Sequence, residues 1–134
     1  MALDLNQAQY AIIPNERGGA VDDAYLYRFE EDRYLLVVNA ANTDKDLAHL
    51  NEQIKKFDAK MTVITGDWAA IAVQGPKAKE ILQVLSGGQA LTEPVKNALN
   101  TLQLEGRTVR IAKTGYTGEP IGYEVYIESA EAPW

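Results

Sequence analysis

The sequence predicts an α+β fold, an antiparallel sheet carrying two helices, and three observations predict it. Stretches with apolar residues at period two, rich in tyrosine, valine and isoleucine, recur between clusters of glycine, proline and asparagine. Two further segments carry apolar residues at helical spacing, each with start and stop signals. From Arg33 to Thr114 the predicted order is strand, helix, strand, strand, helix, strand, the split βαβ pattern of ferredoxin-like folds. In that pattern both helices cover one face of the sheet. The 134 residues suffice for one such domain with a core of its own, and residues 1–134 are read as a single domain.

Each element has its own reason. Ala8 to Ile13 reads as a strand that stops at Pro14-Asn15-Glu16-Arg17-Gly18-Gly19, a strong turn cluster. Ala20 to Phe29 resumes with Val21, Tyr25, Tyr27 and Phe29 on one face, and Glu30-Glu31-Asp32 breaks it. Arg33 to Val38 contains Tyr34-Leu35-Leu36-Val37-Val38, and these three strands make an opening meander. Thr43 is the expected cap of the first helix, with Asp46 as its reciprocal partner; Leu47, Leu50, Ile54 and Phe57 form the apolar stripe. Met61 to Thr65 and Ala69 to Gln74 read as strands. Gly75-Pro76 opens a second helix with Ala78, Ile81, Leu82 and Leu85 inward, ended by Gly87-Gly88. A short helix is expected after Pro94. A hairpin is expected across Glu105-Gly106, then a strand from Gly122 to Ile127 and a helix start at Ser129.

Composition removes several function classes. The formal net charge is −6, and lysine and arginine form no stripe, so no nucleic-acid partner is expected. No window approaches the run of apolar residues that spans a membrane, and the first residues do not form a signal peptide, so the default location is cytoplasmic. Without cysteine there is neither a disulfide nor a thiolate ligand, and the single histidine, His49, falls on a predicted helix surface; no metal is expected. The glycine-rich loops of nucleoside triphosphate and dinucleotide sites are absent, as are the parts of a serine triad.

What remains is a ring-binding chemistry. Lys113-Thr114-Gly115-Tyr116-Thr117-Gly118-Glu119, followed by Gly122-Tyr123-Glu124, brings glycines, aromatic rings and carboxylates together before the last strand. Glycine lets the backbone turn or approach a ligand, and a glutamate beside tyrosines can accept from a planar, donor-rich heterocycle. The alternative is an ordinary hairpin loop. In the second strand Asp22 and Asp23 must point to opposite faces, with Asp23 on the face of Val21, Tyr25 and Tyr27. A carboxylate among aromatic neighbours is costly unless paired or used; the alternative is a turn-edge position. Asn39, at the end of the third strand, offers an amide in the same region or closes an Asx turn.

Several motifs in register carry a resemblance. Gly18-Gly19-Ala20-Val21-Asp22-Asp23, Tyr34 through Asn42, Lys45-Asp46, Ala72-Val73-Gln74-Gly75-Pro76 and Thr114 through Glu119 occur in the same order in one family. From about Leu5 to Trp134 the chain resembles the aminomethyltransferase, or T protein, of the glycine cleavage system. The match is to the central part of those longer, three-domain proteins, built around a folate site. The resemblance implies transfer of a methylene from the aminomethyl group on the lipoyl arm of the H protein to tetrahydrofolate, with release of ammonia. It implies that Asp23 is the aspartate that orients and activates a folate nitrogen. It places Asn39, Tyr116 and Glu124 in the folate pocket, with Tyr10 and Tyr27 near the same cavity. The family's aromatic segment is replaced here by Val95-Lys96-Asn97-Ala98-Leu99-Asn100. A folate-binding module without transfer activity and an inactive remnant are the alternatives. A sheet designed to be covered by further domains exposes apolar surface, so a homodimer is also expected.

Overall fold

The computed structural model describes residues 3–88, 98–113 and 120–133. The chain forms two compact units, Met1–Val63 and Ile64–Trp134. The first unit is a three-stranded antiparallel sheet in the order β1-β2-β3, with β1 at Gln7–Pro14, β2 at Ala20–Glu30 and β3 at Arg33–Val38. A single 3-10 turn at Ala40–Asn42 leads into helix α1, Thr43–Ile54.

The β1–β2 connection is fixed by Asn15. Its Oδ1 accepts from the backbone N–H groups of Arg17 and Gly19, both at 2.9 Å, while Gly18 supplies the left-handed residue at φ 78°. A Cβ on Gly19 would lie 3.0 Å from the Asn15 amide, so a side chain there would press on the group that holds the loop. The loop sets the register that places Tyr10 opposite Tyr25 and Ile12 opposite Asp23. Directly opposed residues share a face, as do alternate residues on one strand. Tyr10, Ile12, Asp23, Tyr25, Tyr27 and Val37 therefore occupy one face, and Ile13, Asp22, Ala24 and Val38 the other.

The second unit is a four-stranded antiparallel sheet in the order β4-β7-β6-β5, with β4 at Trp68–Gln74, β5 at Leu99–Leu104, β6 at Arg107–Ala112 and β7 at Gly122–Glu128. Helix α2, Ala78–Leu85, lays Ala78 and Leu82 on a face made of Leu102, Leu104, Val109, Ile111, Tyr123, Val125 and Ile127. The β5–β6 hairpin turns through Glu105 at φ 44° and Gly106 at φ 83°, the double left-handed pair that matches the twist of flanking strands. Gly87 and Gly88, both at positive φ, end α2, and the Gly88 N–H reaches back to the Gln83 carbonyl at 2.9 Å.

The α+β class, the antiparallel pairing and both helices agree with the sequence reading. The expected split βαβ sheet is divided differently. Strand β3 pairs with β2 in the first sheet, and residues 61–65 form no strand. Met61-Thr62-Val63 has β-branched character but gains no ladder partner among the described residues, and local propensity alone does not make a strand. Residues 129–133 form turns rather than a helix. The helix expected after Pro94 and the 114–119 loop lie outside the described residues. Thr43 does not cap α1 from outside: it is the first helical residue, and its Oγ1 donates to the Ala40 carbonyl at 3.1 Å. The reciprocal capping contact with Asp46 is absent, because Asp46 is buried completely elsewhere.

Candidate functional site

Asp23 is the centre of a compact polar constellation in the first unit. The Tyr10 hydroxyl donates to Asp23 Oδ2 at 2.5 Å, and the Asn39 amide donates to Asp23 Oδ1 at 2.7 Å. Each carboxylate oxygen thus has one donor from a flanking strand or strand end. The geometry follows from the fold. Tyr10 is one pair along the ladder from Ile12–Asp23 on the same face, and Asn39 follows Val38, which pairs with Ala24.

Asp22 points the other way and braces the arrangement. Its Oδ1 accepts from the Asp23 backbone N–H at 2.9 Å and from the Asn39 amide at 3.0 Å. The Asn39 amide therefore bridges both aspartates, which fixes the strand end. The Asp23 N–H holds the Asp22 carboxyl well below the usual carboxylate range, with help from Asn39, Asn42 and Asp46, against the opposing effect of burial. The bond to Asp23 raises the Tyr10 phenol above its ordinary value, reinforced by burial and by the negative charge of Asp23.

An aromatic ladder runs from this constellation along the same face. Tyr10 meets Tyr25 edge-on with ring centroids 5.6 Å apart, and Tyr25 stacks on Tyr27 at 6.0 Å. Tyr10 is half exposed (48%), whereas Tyr27 is fully buried. The exposed end of the ladder lies beside Asp23. Tyr27 supports it from below and does not itself face outward.

In the second unit Glu124 is half-buried on β7, and its Oε2 accepts from the Tyr126 hydroxyl at 2.9 Å. Both project from the sheet face opposite the core that α2 covers, together with Arg110, which lies over the Trp68 ring at 5.2 Å. Tyr116 falls in the 114–119 segment, outside the described residues.

The structure thus brings Asp23, Tyr10 and Asn39 together, attaches Tyr27 to them through Tyr25, and places Glu124 on the second sheet. Sequence reading missed Tyr25 as the link, Tyr126 as the donor to Glu124, and Asp46. Asp46 had a signal. It lies four residues before Leu50 on the inward stripe of α1, where a carboxyl needs a reason. Among the described residues no group of three or more histidine, cysteine, aspartate or glutamate side chains is placed to hold a metal ion. No helix there is long and apolar enough to cross a membrane.

The first unit thus presents a carboxylate held by two donors beside exposed aromatic surface, on an α+β scaffold. The family model for the GCVT N-terminal domain matches residues 1–133, and the chain belongs to that family, the aminomethyltransferases of the glycine cleavage system. The chain is 46% identical over 130 residues to an aminomethyltransferase of Thermus thermophilus, covering 97% of the chain and 37% of the relative. It is 48% identical over 126 residues to that of Deinococcus deserti, covering 94% and 35%. Its fold is similar to the crystal structure of glycine cleavage system aminomethyltransferase T from Bartonella henselae, with TM-score 0.76, 31% identity, and coverage of 93% of this chain and 32% of that one. The chain spans little more than a third of the length of the curated relatives it matches.

Proposed function

We propose that these 134 residues bind tetrahydrofolate and orient it for one-carbon transfer, with Asp23 as the residue that meets the reacting end of the folate. Transfer of the methylene from the lipoyl-bound aminomethyl group of the H protein, with release of ammonia, is proposed at the scale of the relatives' full length. Family membership supports the reaction class, and the Asp23–Tyr10–Asn39 constellation carries the site.

The chemistry asks for three things, and each has a residue. The pterin is flat and apolar on its faces, which suits the exposed edge of the Tyr10–Tyr25 pair. Its ring nitrogens and amino group donate hydrogen bonds, for which the family motif assigns Glu124 as acceptor, with Tyr116 packing against the ring. The nitrogen that attacks the methylene must present its lone pair and lose a proton during transfer. A fixed carboxylate at Asp23 can hold that nitrogen by its N–H and draw off the proton. Its two donors keep the carboxylate in one orientation, so positioning costs little when the ligand arrives. A carboxylate replaced by a neutral amide would keep the shape and lose the charge-assisted bond.

Calorimetric titration of tetrahydrofolate into the wild-type chain tests the reading. Saturable heat is expected at a stoichiometry of one folate per chain. Absence of heat at millimolar ligand would remove folate binding from this chain.

A further inference from the structure

Asp46 is a fully buried carboxyl on the first turn of α1, and the folate reading gives it nothing to do. Both of its oxygens are buried with no hydrogen-bond partner among the described residues, and so is Asp22 Oδ2. One cation serves both groups. Lys45 Nζ lies 3.6 Å from Asp46 Oδ1 and 3.7 Å from Asp22 Oδ2, and it also donates to the Val21 carbonyl. The Lys45 side chain is half exposed, while those of Asp46 and Asp22 are 0% and 9% exposed. Two ionised carboxylates around one partly solvated ammonium would leave a buried negative charge without a donor, which is very unfavourable. A neutral carboxylic acid, by contrast, brings its own O–H donor.

We propose that Asp46 is a positioning residue that holds one proton between its carboxyl and that of Asp22, leaving Asp22 Oδ1 to fix the Asp23 backbone and the Asn39 amide. The chain of contacts is short. Asp46 supplies the donor that Asp22 Oδ2 lacks; Asp22 Oδ1 then holds the Asp23 N–H at 2.9 Å and Asn39 at 3.0 Å; Asn39 in turn holds Asp23 Oδ1 at 2.7 Å. The positioning role rests on reading Asp23 as the folate-facing carboxylate, whereas the shared proton does not. A helix-capping role is excluded by the absence of any side-chain cap bond at the start of α1.

The proton affinities agree with this division. Burial raises the Asp46 carboxyl above its ordinary value, and the hydrogen bond and charge of Asp22 raise it further, with Lys45 opposing. Asp22 is held low, so it is the acceptor of the pair. Among the described residues, Asp22 on β2 and Lys45 on α1 are the charged groups that face Asp46; Asp23 and Tyr10 lie on the opposite face of the sheet. A carboxyl raised in the folded state contributes stability that is complete below its unfolded value, about 3.9, and is lost as pH rises through the folded value.

Carbon-13 spectra of aspartate side chains in the whole chain test the proposal. One carboxyl should titrate above the ordinary aspartate range, and its resonance should vanish in Asp46→Asn. In that variant the amide donates to Asp22 in place of the O–H, so tetrahydrofolate affinity should stay within about threefold, whereas Asp46→Leu removes the donor and should weaken it about tenfold. Should Asp46→Leu fail to fold, the wild-type titration and the rescue by asparagine decide the matter. An Asp46 carboxyl that titrates with the ordinary aspartates while folate binds overturns the inference alone. A raised midpoint in a wild-type chain that takes no tetrahydrofolate overturns the folate reading and leaves the shared proton standing.

Discussion

At Tyr10 a single hydroxyl links a half-exposed aromatic ring to the carboxylate proposed to meet the folate. Removing it in Tyr10→Phe leaves Asp23 Oδ2 without its donor and should weaken tetrahydrofolate binding about three- to tenfold, read by calorimetry, with little change in fold. The same bond makes a prediction that needs no ligand. Ultraviolet titration should find one tyrosine ionising above the ordinary phenol value of about 10, and Asp23→Asn should return it toward that value. Because the phenol is raised in the folded state, its stabilising contribution is complete below about pH 10 and lost as pH rises through the folded value. Alternation along β2 made the opposite facing of Asp22 and Asp23 legible in the sequence. The role of Asp46 was hidden, because an aspartate three residues after a threonine reads as a cap until its burial is seen.

The elements show where local pattern sufficed and where it did not. The hairpin at Glu105-Gly106 was legible because two left-handed residues are what a two-residue turn demands. Gly106→Ala should cost about 1–2 kcal/mol in denaturant unfolding, since φ 83° is strained for any residue with a Cβ. Helix α2 was legible from Ala78, Leu82 and Leu85, although Ile81, expected on the same inward face, is 50% exposed; Leu82, 1% exposed in the second core, should lose about 2–5 kcal/mol on change to alanine. Residues 61–65 misled because strand propensity is mostly a preference for a partner surface, and no ladder among the described residues accepts them. The division into two sheets was not legible either. Strand β3 satisfies its hydrogen bonds with β2 after a short turn, and such local pairing wins over the distant partner a split βαβ sheet would need.

For the whole molecule, composition and motif order carried most of what could be read. Five separate motifs in one order identified the family, which the match over residues 1–133 bears out. Exposed apolar side chains such as Ile12, Ile71, Ile81 and Val84 support the proposal that the isolated chain pairs with a second copy. Light scattering at micromolar concentration should then give twice the 14.8 kDa chain mass, and a monomer mass throughout would end that proposal. The glycine–tyrosine loop at 114–119, the first sequence pointer to a ring-binding site, lies outside the described residues, and the proposed site rests on the hydrogen-bonded group of Asp23, Tyr10 and Asn39. The most direct test of their central role is the tetrahydrofolate dissociation constant of Asp23→Asn relative to wild type, measured by calorimetry on the two folded chains. A loss of about tenfold or more is expected, since the variant keeps the shape of Asp23 and removes its charge. Equal constants for the two chains would contradict it.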